Sequence, residues 1–122
     1  MIIDERTYTV HSGKVAEYLQ MVQTHLMPLQ GEILGGLVGY FHTEVGTLNQ
    51  IVHLWAYDSM AQREQKRSAL AAHPLWASKT AHVRPLITAQ SNRILVAAPF
   101  SPIVRLLSTT THRLQARTGL QV

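Results

Sequence analysis

The chain has no cysteine, which excludes disulfides, thiolate catalysis and Cys-based metal or cluster sites. It has no run of about 18 apolar residues, the minimum for a helix that crosses a bilayer. No glycine-rich phosphate loop follows a predicted strand, because "GGLVG" (35–39) lies before or inside one, and no GxSxG nucleophile elbow is present. The opening "MIIDERTYTV" has two acids by position 5 and no apolar h-region. It resembles neither a signal peptide nor an Arg-rich transit peptide, and the expectation is a soluble protein of the cytoplasm.

What is present suffices for one domain: 122 residues, 46% of them hydrophobic, bury a core without covalent staples. The net charge of +4 divides unevenly. Residues 1–98 hold eight Lys and Arg against seven Asp and Glu, while 99–122 hold Arg105, Arg113 and Arg117 with no acid. The basic character belongs to the tail, so the body lacks the broad basic surface that phosphate-backbone binding needs, and no nucleic-acid partner is expected.

The patterns along the chain alternate between strand and helix. "IIDERTYTV" (2–10) reads as a strand ending at "HSG". From a Ser12 cap, Val15, Tyr18, Leu19, Val22 and Leu26 form one apolar helical stripe, which Pro28 and Gly31 are expected to close. "GLVGYFHTE" and "NQIVHLWAY" flank "VGTL", where Gly46 suits a two-residue hairpin turn. Asp58 or Ser59 caps a helix through "MAQREQKRSALAA", and His73-Pro74 opens a second short helix. "LITAQSNRILVAA" is a last strand, with a bulge expected near Ser91 to Arg93. The order β-α-β-β-α-β predicts an α+β, ferredoxin-like subunit: a four-stranded antiparallel sheet with its helices on one face. The two prolines of "APFSPI" end that unit, giving a domain over 1–102 and a basic tail over 103–122 read as a mobile arm or a short docked helix.

Several separated motifs, "ERTYTV" with Gly13, "GLVGYFHTEVGTLNQIVHLWAYDSMAQREQKRSAL", "HPLWA" and "ILVAAPFSP", together resemble the NIPSNAP family across residues 3–102. The resemblance implies a dimeric α+β barrel, in which the sheet of one subunit stacks on that of a second copy. It implies no established activity. Eukaryotic members are associated with mitochondria, and related barrel families include cofactor-free monooxygenases and haem-binding enzymes. Two positions depart from the family pattern: His73 stands where an Asp usually precedes Pro74, and Glu5 where an apolar residue is frequent.

With Gly46 and Thr47 as the turn, residues whose numbers add to 93 face each other and share a side. One side then carries Tyr40, His42, His53, Trp55 and Tyr57, joined by Arg6 and Tyr8 of the first strand; the other carries Leu37, Gly39, Phe41, Val52, Leu54 and Ala56. By composition the apolar side is expected to pack on the helices and the polar-aromatic side to meet a partner sheet or a ligand. His53, Tyr40, Trp55, Tyr8, Arg6 and Tyr57 are therefore the candidate ligand-binding residues, with His53 as base or hydrogen-bond partner. Arg63 and Arg67, four apart on one helix face, are candidates for an anion clamp or for pairing with Glu64 or Asp58. Seven His raise a metal site, but three or four ligands must converge and no such set emerges, so neither metal nor cofactor is expected. His25 reads as a cap near a helix C-terminus. The functional expectation is a homodimer with an interaction or small-molecule-binding role; the alternative is a cofactor-independent enzyme acting on a small aromatic or carbonyl compound near His53.

Overall fold

The computed structural model describes residues 1–103. In chain order it contains β1 (Ile2–Val10), α1 (Val15–Met21), a π-helical segment (Val22–Leu26), α2 (Met27–Leu34), β2 (Leu37–His42), β3 (Gln50–Tyr57), α3 (Met60–Ala72), α4 (Trp76–Thr80) and β4 (Ile87–Val96). The strands form one antiparallel sheet in the order β2-β3-β1-β4. This is the expected ferredoxin-like arrangement. The tail from residue 104 lies outside the described residues, so the expectation of a mobile arm is not addressed there.

The first helical run does not stop at Pro28. It passes through Pro28 and Gly31 to Leu34, because the intervening turn is π-helical: the N–H of Met27 bonds to the Val22 carbonyl, five residues back. A proline directly after such a widened turn forfeits little, since the ordinary ladder is already interrupted there. The consequence is one buried row, Val22, Leu26, Gln30 and Leu34, at four-residue spacing. Ser12 is not the cap; Lys14 occupies that position and no side chain closes the helix start. At the other end Gly36 has φ +62, and a Cβ there would collide with the Ala56 carbonyl oxygen, so only glycine lets the chain turn into β2.

In the hairpin, Tyr40 faces His53, Phe41 faces Val52 and His42 faces Ile51, the register read from sequence. The connection is longer than expected. The strands end at His42 and Gln50, and Thr43 N–H to Gln50 O (3.1 Å) closes the loop, with positive φ at both Gly46 and Asn49. The β4 irregularity sits beside Thr88, between the pairs Thr9–Ala89 and Val10–Ile87, and not at Ser91 to Arg93. Ser59 does cap α3, its Oγ accepting the Gln62 N–H at 3.1 Å. His73 Nδ1 accepts the Leu75 N–H at 3.1 Å, so an imidazole supplies the acceptor before α4 that an Asp would otherwise give. His25 is mid-helix, not at a C-terminus, and stacks on His82 with ring centroids 3.7 Å apart.

The two sides of the sheet are the reverse of the compositional expectation. Along β3 the buried residues are Ile51, His53, Trp55 and Tyr57. Ile51 packs with Tyr18, Val22, Leu26 and Val83, while Trp55 and Tyr57 pack with Leu34 and Leu70. The polar-aromatic side therefore lies beneath the helices. Its polar atoms bond largely to one another, and the aromatic bodies supply the apolar area that drives packing. The opposite side carries Val52, Leu54 and Phe41; none of α1 to α4 buries Phe41, which is 54% exposed among the described residues. Toward β4 this side is covered, where Ala97 to Ile103 returns beside Ile3, Leu54 and Leu95. Glu5 is on this side and pairs with Arg93 at 2.8 Å.

Candidate functional site

The alternation of strands places chemistry in rows under the helices. Tyr40, His53, Arg6 and Asn92 are register neighbours across all four strands, and Trp55, Asp4 and Ile94 form the next row. Asp4 is fully buried. Its Oδ2 accepts from Arg6 (3.2 Å) and from Arg63 on α3 (3.0 Å), and its Oδ1 from the Asn92 amide (3.1 Å). Burial alone would raise its pKa, but the bonds from Asn92 and Arg63 and the two guanidinium charges outweigh it, and the carboxyl titrates below its ordinary value. Asp4 thus ties side chains of β1 and β4 to α3.

His53 is 1% exposed. The Trp55 indole N–H, which can only donate, lies 2.7 Å from His53 Nδ1. That nitrogen must therefore be bare, and the proton of the neutral ring sits on Nε2. Tyr40 stacks on the imidazole at 4.5 Å, and Tyr8 meets it edge-on at 4.8 Å. Burial, with the Arg6 and Arg67 charges, lowers the imidazole pKa to about 3. The ring stays neutral across the physiological range, and its Nε2–H has no partner.

His53 lines a cavity of about 240 Å³ between sheet and helices. Its walls include Tyr8, Tyr18, Tyr40 and Trp76; Gln30 reaches it from α2 and Arg67 from α3. Gln30 Oε1 is also buried and unpartnered. Arg84 and Gln90, both exposed, also contribute to the wall, so the cavity opens between the turn before β4 and β4 itself. Tyr18 and Tyr40 face each other at 3.4 Å between hydroxyls. Burial pushes the Tyr18 phenol up to about 12 and the Tyr40 phenol further in the same direction, so both remain protonated donors.

Of the residues singled out from sequence, the fold brings Arg6, Tyr8, Tyr40, His53 and Arg67 to this one cavity. Trp55 stands behind His53 and fixes it, and Tyr57 lies in the second core cluster, outside the cavity. Arg63 is engaged by Asp4, so Arg63 and Arg67 do not form a clamp, and neither forms an ion pair with Glu64 or Asp58. In this geometry one His53 nitrogen is occupied by Trp55 and the other carries hydrogen, which presents the ring as a hydrogen-bond donor. Sequence reasoning missed Asp4, Gln30, Tyr18 and Arg84. Gln30 had a signal, a polar residue continuing the Val22–Leu26 row at i+4, which the assumed stop at Pro28 concealed. No group of three or more His, Cys, Asp or Glu that could hold a metal occurs among the described residues, and no helix there is long and apolar enough to cross a membrane.

Strand order, helix placement and a cavity beneath the helices define a ferredoxin-like α+β protein. At the level of fold alone, a cofactor-independent oxygenase from Streptomyces nogalater shares it, with a TM-score of 0.55 at 16% identity over 83% of this chain and 96% of that one. The NIPSNAP family model matches residues 3–102, and the chain belongs to the NIPSNAP family. A NIPSNAP family protein of unknown function from Agrobacterium tumefaciens is 40% identical, with a TM-score of 0.82 over 84% of this chain and 93% of that one. Protein NipSnap homolog 2 of Danio rerio is 35% identical over 66 residues, 54% of this chain but only 23% of that protein. This chain thus corresponds to about a quarter of that longer relative.

Proposed function

We propose that the protein is a homodimeric binding protein for a small planar molecule, which it takes into the cavity between the sheet and helices of each subunit. One observation carries this reading: His53 and Gln30 line the same cavity, and each holds a buried polar atom, His53 Nε2 and Gln30 Oε1, with no hydrogen-bond partner among the described residues. Each such atom costs roughly 1–3 kcal/mol when left unsatisfied, so a site holding two of them gains by admitting a complementary guest. Tyr and Trp side chains around them offer flat faces. A cavity of roughly 150 Å³ takes benzene, so one of about 240 Å³ holds a single ring with small substituents.

The catalytic alternative needs a group that accepts a proton near neutral pH. His53 is neutral with its free nitrogen protonated, and no Asp or Glu borders the cavity among the described residues. Binding and polarisation are what this constellation supports. Dimer formation is supported by the side of the sheet opposite the cavity, where, among the described residues, Phe41 is exposed and Val52 and Leu54 are half-buried, an apolar surface that a second copy can bury.

The test is a thermal-shift and calorimetric screen of single-ring aromatic compounds, neutral and anionic, repeated with Ile87→Phe to fill the cavity. Binding that falls at least tenfold in the filled variant, at unchanged melting, supports the reading. Binding indifferent to Ile87→Phe, or absent from the whole screen, overturns it.

A further inference from the structure

The cavity is chemically lopsided, and from that we infer the class of guest: a single-ring aromatic monocarboxylate carrying an O–H or N–H donor away from its carboxylate. The inference rests on the binding reading above and adds the identity of the ligand's two ends.

Among the described residues three arginines, Arg6, Arg67 and Arg84, border the cavity, and no carboxylate does. Arg6 is committed, with Nε on the Tyr8 hydroxyl at 2.9 Å and a terminal nitrogen on Asp4 at 3.2 Å. Arg67 and Arg84 enter no ion pair among the described residues. Arg67 is only partly exposed; its guanidinium lies against the Tyr57 hydroxyl, a neutral partner that leaves its charge without a counter-ion, and that charge acts on the His53 ring. A planar guanidinium beside a fixed N–H donor matches the two oxygens of a carboxylate, and charge-assisted bonds of this kind are about twice as strong as neutral ones. A neutral acyl group would satisfy His53 and leave Arg67 uncompensated.

The other pole is opposite in sense. Gln30 comes from the helix layer and His53 from the sheet, so the two approach the cavity from different sides. The unpartnered atom of Gln30 is its carbonyl oxygen, which only accepts. A second carboxylate there would bury a charge against an acceptor, whereas an O–H or N–H completes the bond. Tyr8, Tyr40 and Trp76 lie along the wall, which suits an aromatic ring between the two polar ends.

Calorimetric titration of the full chain with 3- and 4-hydroxybenzoate, benzoate, and 3- and 4-hydroxybenzamide separates these elements. A hydroxybenzoate should bind at least tenfold more tightly than its amide, and more tightly than benzoate. Arg67→Met should remove the advantage over the amide, and Gln30→Met the advantage over benzoate, with circular dichroism confirming that each variant is folded. If the amides bind as well as the carboxylates, or if Gln30→Met weakens benzoate and hydroxybenzoate equally, the ligand class is wrong while the cavity reading stands. If no compound binds, amides included, the cavity reading falls and takes this inference with it.

Discussion

Trp55 donates its indole N–H to His53 Nδ1 at 2.7 Å, two residues away on the same face of β3. This one bond decides the chemistry of the site. It fixes the tautomer, removes one nitrogen from any proton-transfer role, and leaves a single N–H on a ring that lines the cavity. Long-range proton–nitrogen correlation spectra should show His53 as the Nε2–H tautomer from pH 8 down to pH 5. Trp55→Phe should cost about 1–3 kcal/mol through the orphaned Nδ1, beyond the loss of packed volume, and should release the tautomer. A protonated Nδ1 in the native protein would contradict the geometry.

Acid stability should report the same residue. With a native pKa of about 3 against an ordinary 6.5, the unfolded chain binds a proton between those values that the native chain does not. Stability therefore rises with pH across that window and is lost as pH falls. Between pH 7 and 5 the contribution is about 2 kcal/mol, at about 1.4 kcal/mol per pH unit for one proton. Asp4 contributes only at lower pH: its depressed pKa gives stability that is present above 3.8 and lost as pH falls through the native value. His25 shifts in the same direction as His53 but is retained in the variant, so it cancels. Urea unfolding of wild type and His53→Asn at pH 7 and pH 5 should show the extra 2 kcal/mol only in the wild type. Equal losses in both would contradict a neutral buried His53.

Asp4 should matter more to stability than any surface acid. Asp4→Asn leaves Arg6 and Arg63 without their shared carboxylate in a buried setting, a change that costs roughly 3–5 kcal/mol. Adding Arg63→Met should recover part of that loss, because the two changes remove one interaction. A loss below about 1 kcal/mol for Asp4→Asn would mean that water, not the protein, carries that charge.

The open side of the sheet makes a separate prediction about assembly. The wild-type protein should scatter light as about twice the 13.7 kDa chain mass, and Leu54→Arg should give monomers with native far-ultraviolet dichroism and an intact cavity. Removing residues 103–122 should leave melting and dimerisation within error. Monomeric wild-type protein, or dimers that survive Leu54→Arg, would refute sheet stacking through this face.

The element order and hairpin register were legible because they rest on short-range patterns: period-two alternation from Val52 to Tyr57, the i, i+3, i+4 stripe of α1, and the Ser59 cap. The assignment of faces was not. Val52, Leu54 and Ala56 look like core by composition, while His53, Trp55 and Tyr57 look like surface. The pairing that reverses this, Asp4 with Arg63 and His53 with Trp55, includes a partner 59 positions away on another element. Pro28 misled for a local reason, since nothing in the residue types of "VQTHLMPLQ" announces a π turn that accommodates it. Closing the helix over Pro28 to Gly31 leaves Gln30 out of the buried row, and the acceptor pole of the cavity with it.

The central claim is that ligands enter beneath the helices, not between stacked sheets, and β3 carries a built-in readout because successive residues point to opposite sides. The decisive measurement is a chemical-shift titration of isotope-labelled protein with 4-hydroxybenzoate, followed at side-chain resonances of His53, Trp76, Val52, Leu54 and Phe41. The account predicts that the His53 Nε2–H and Trp76 signals move together and saturably while those of Val52, Leu54 and Phe41 stay in place. Movement confined to Val52, Leu54 and Phe41 would put the ligand on the opposite face and contradict it.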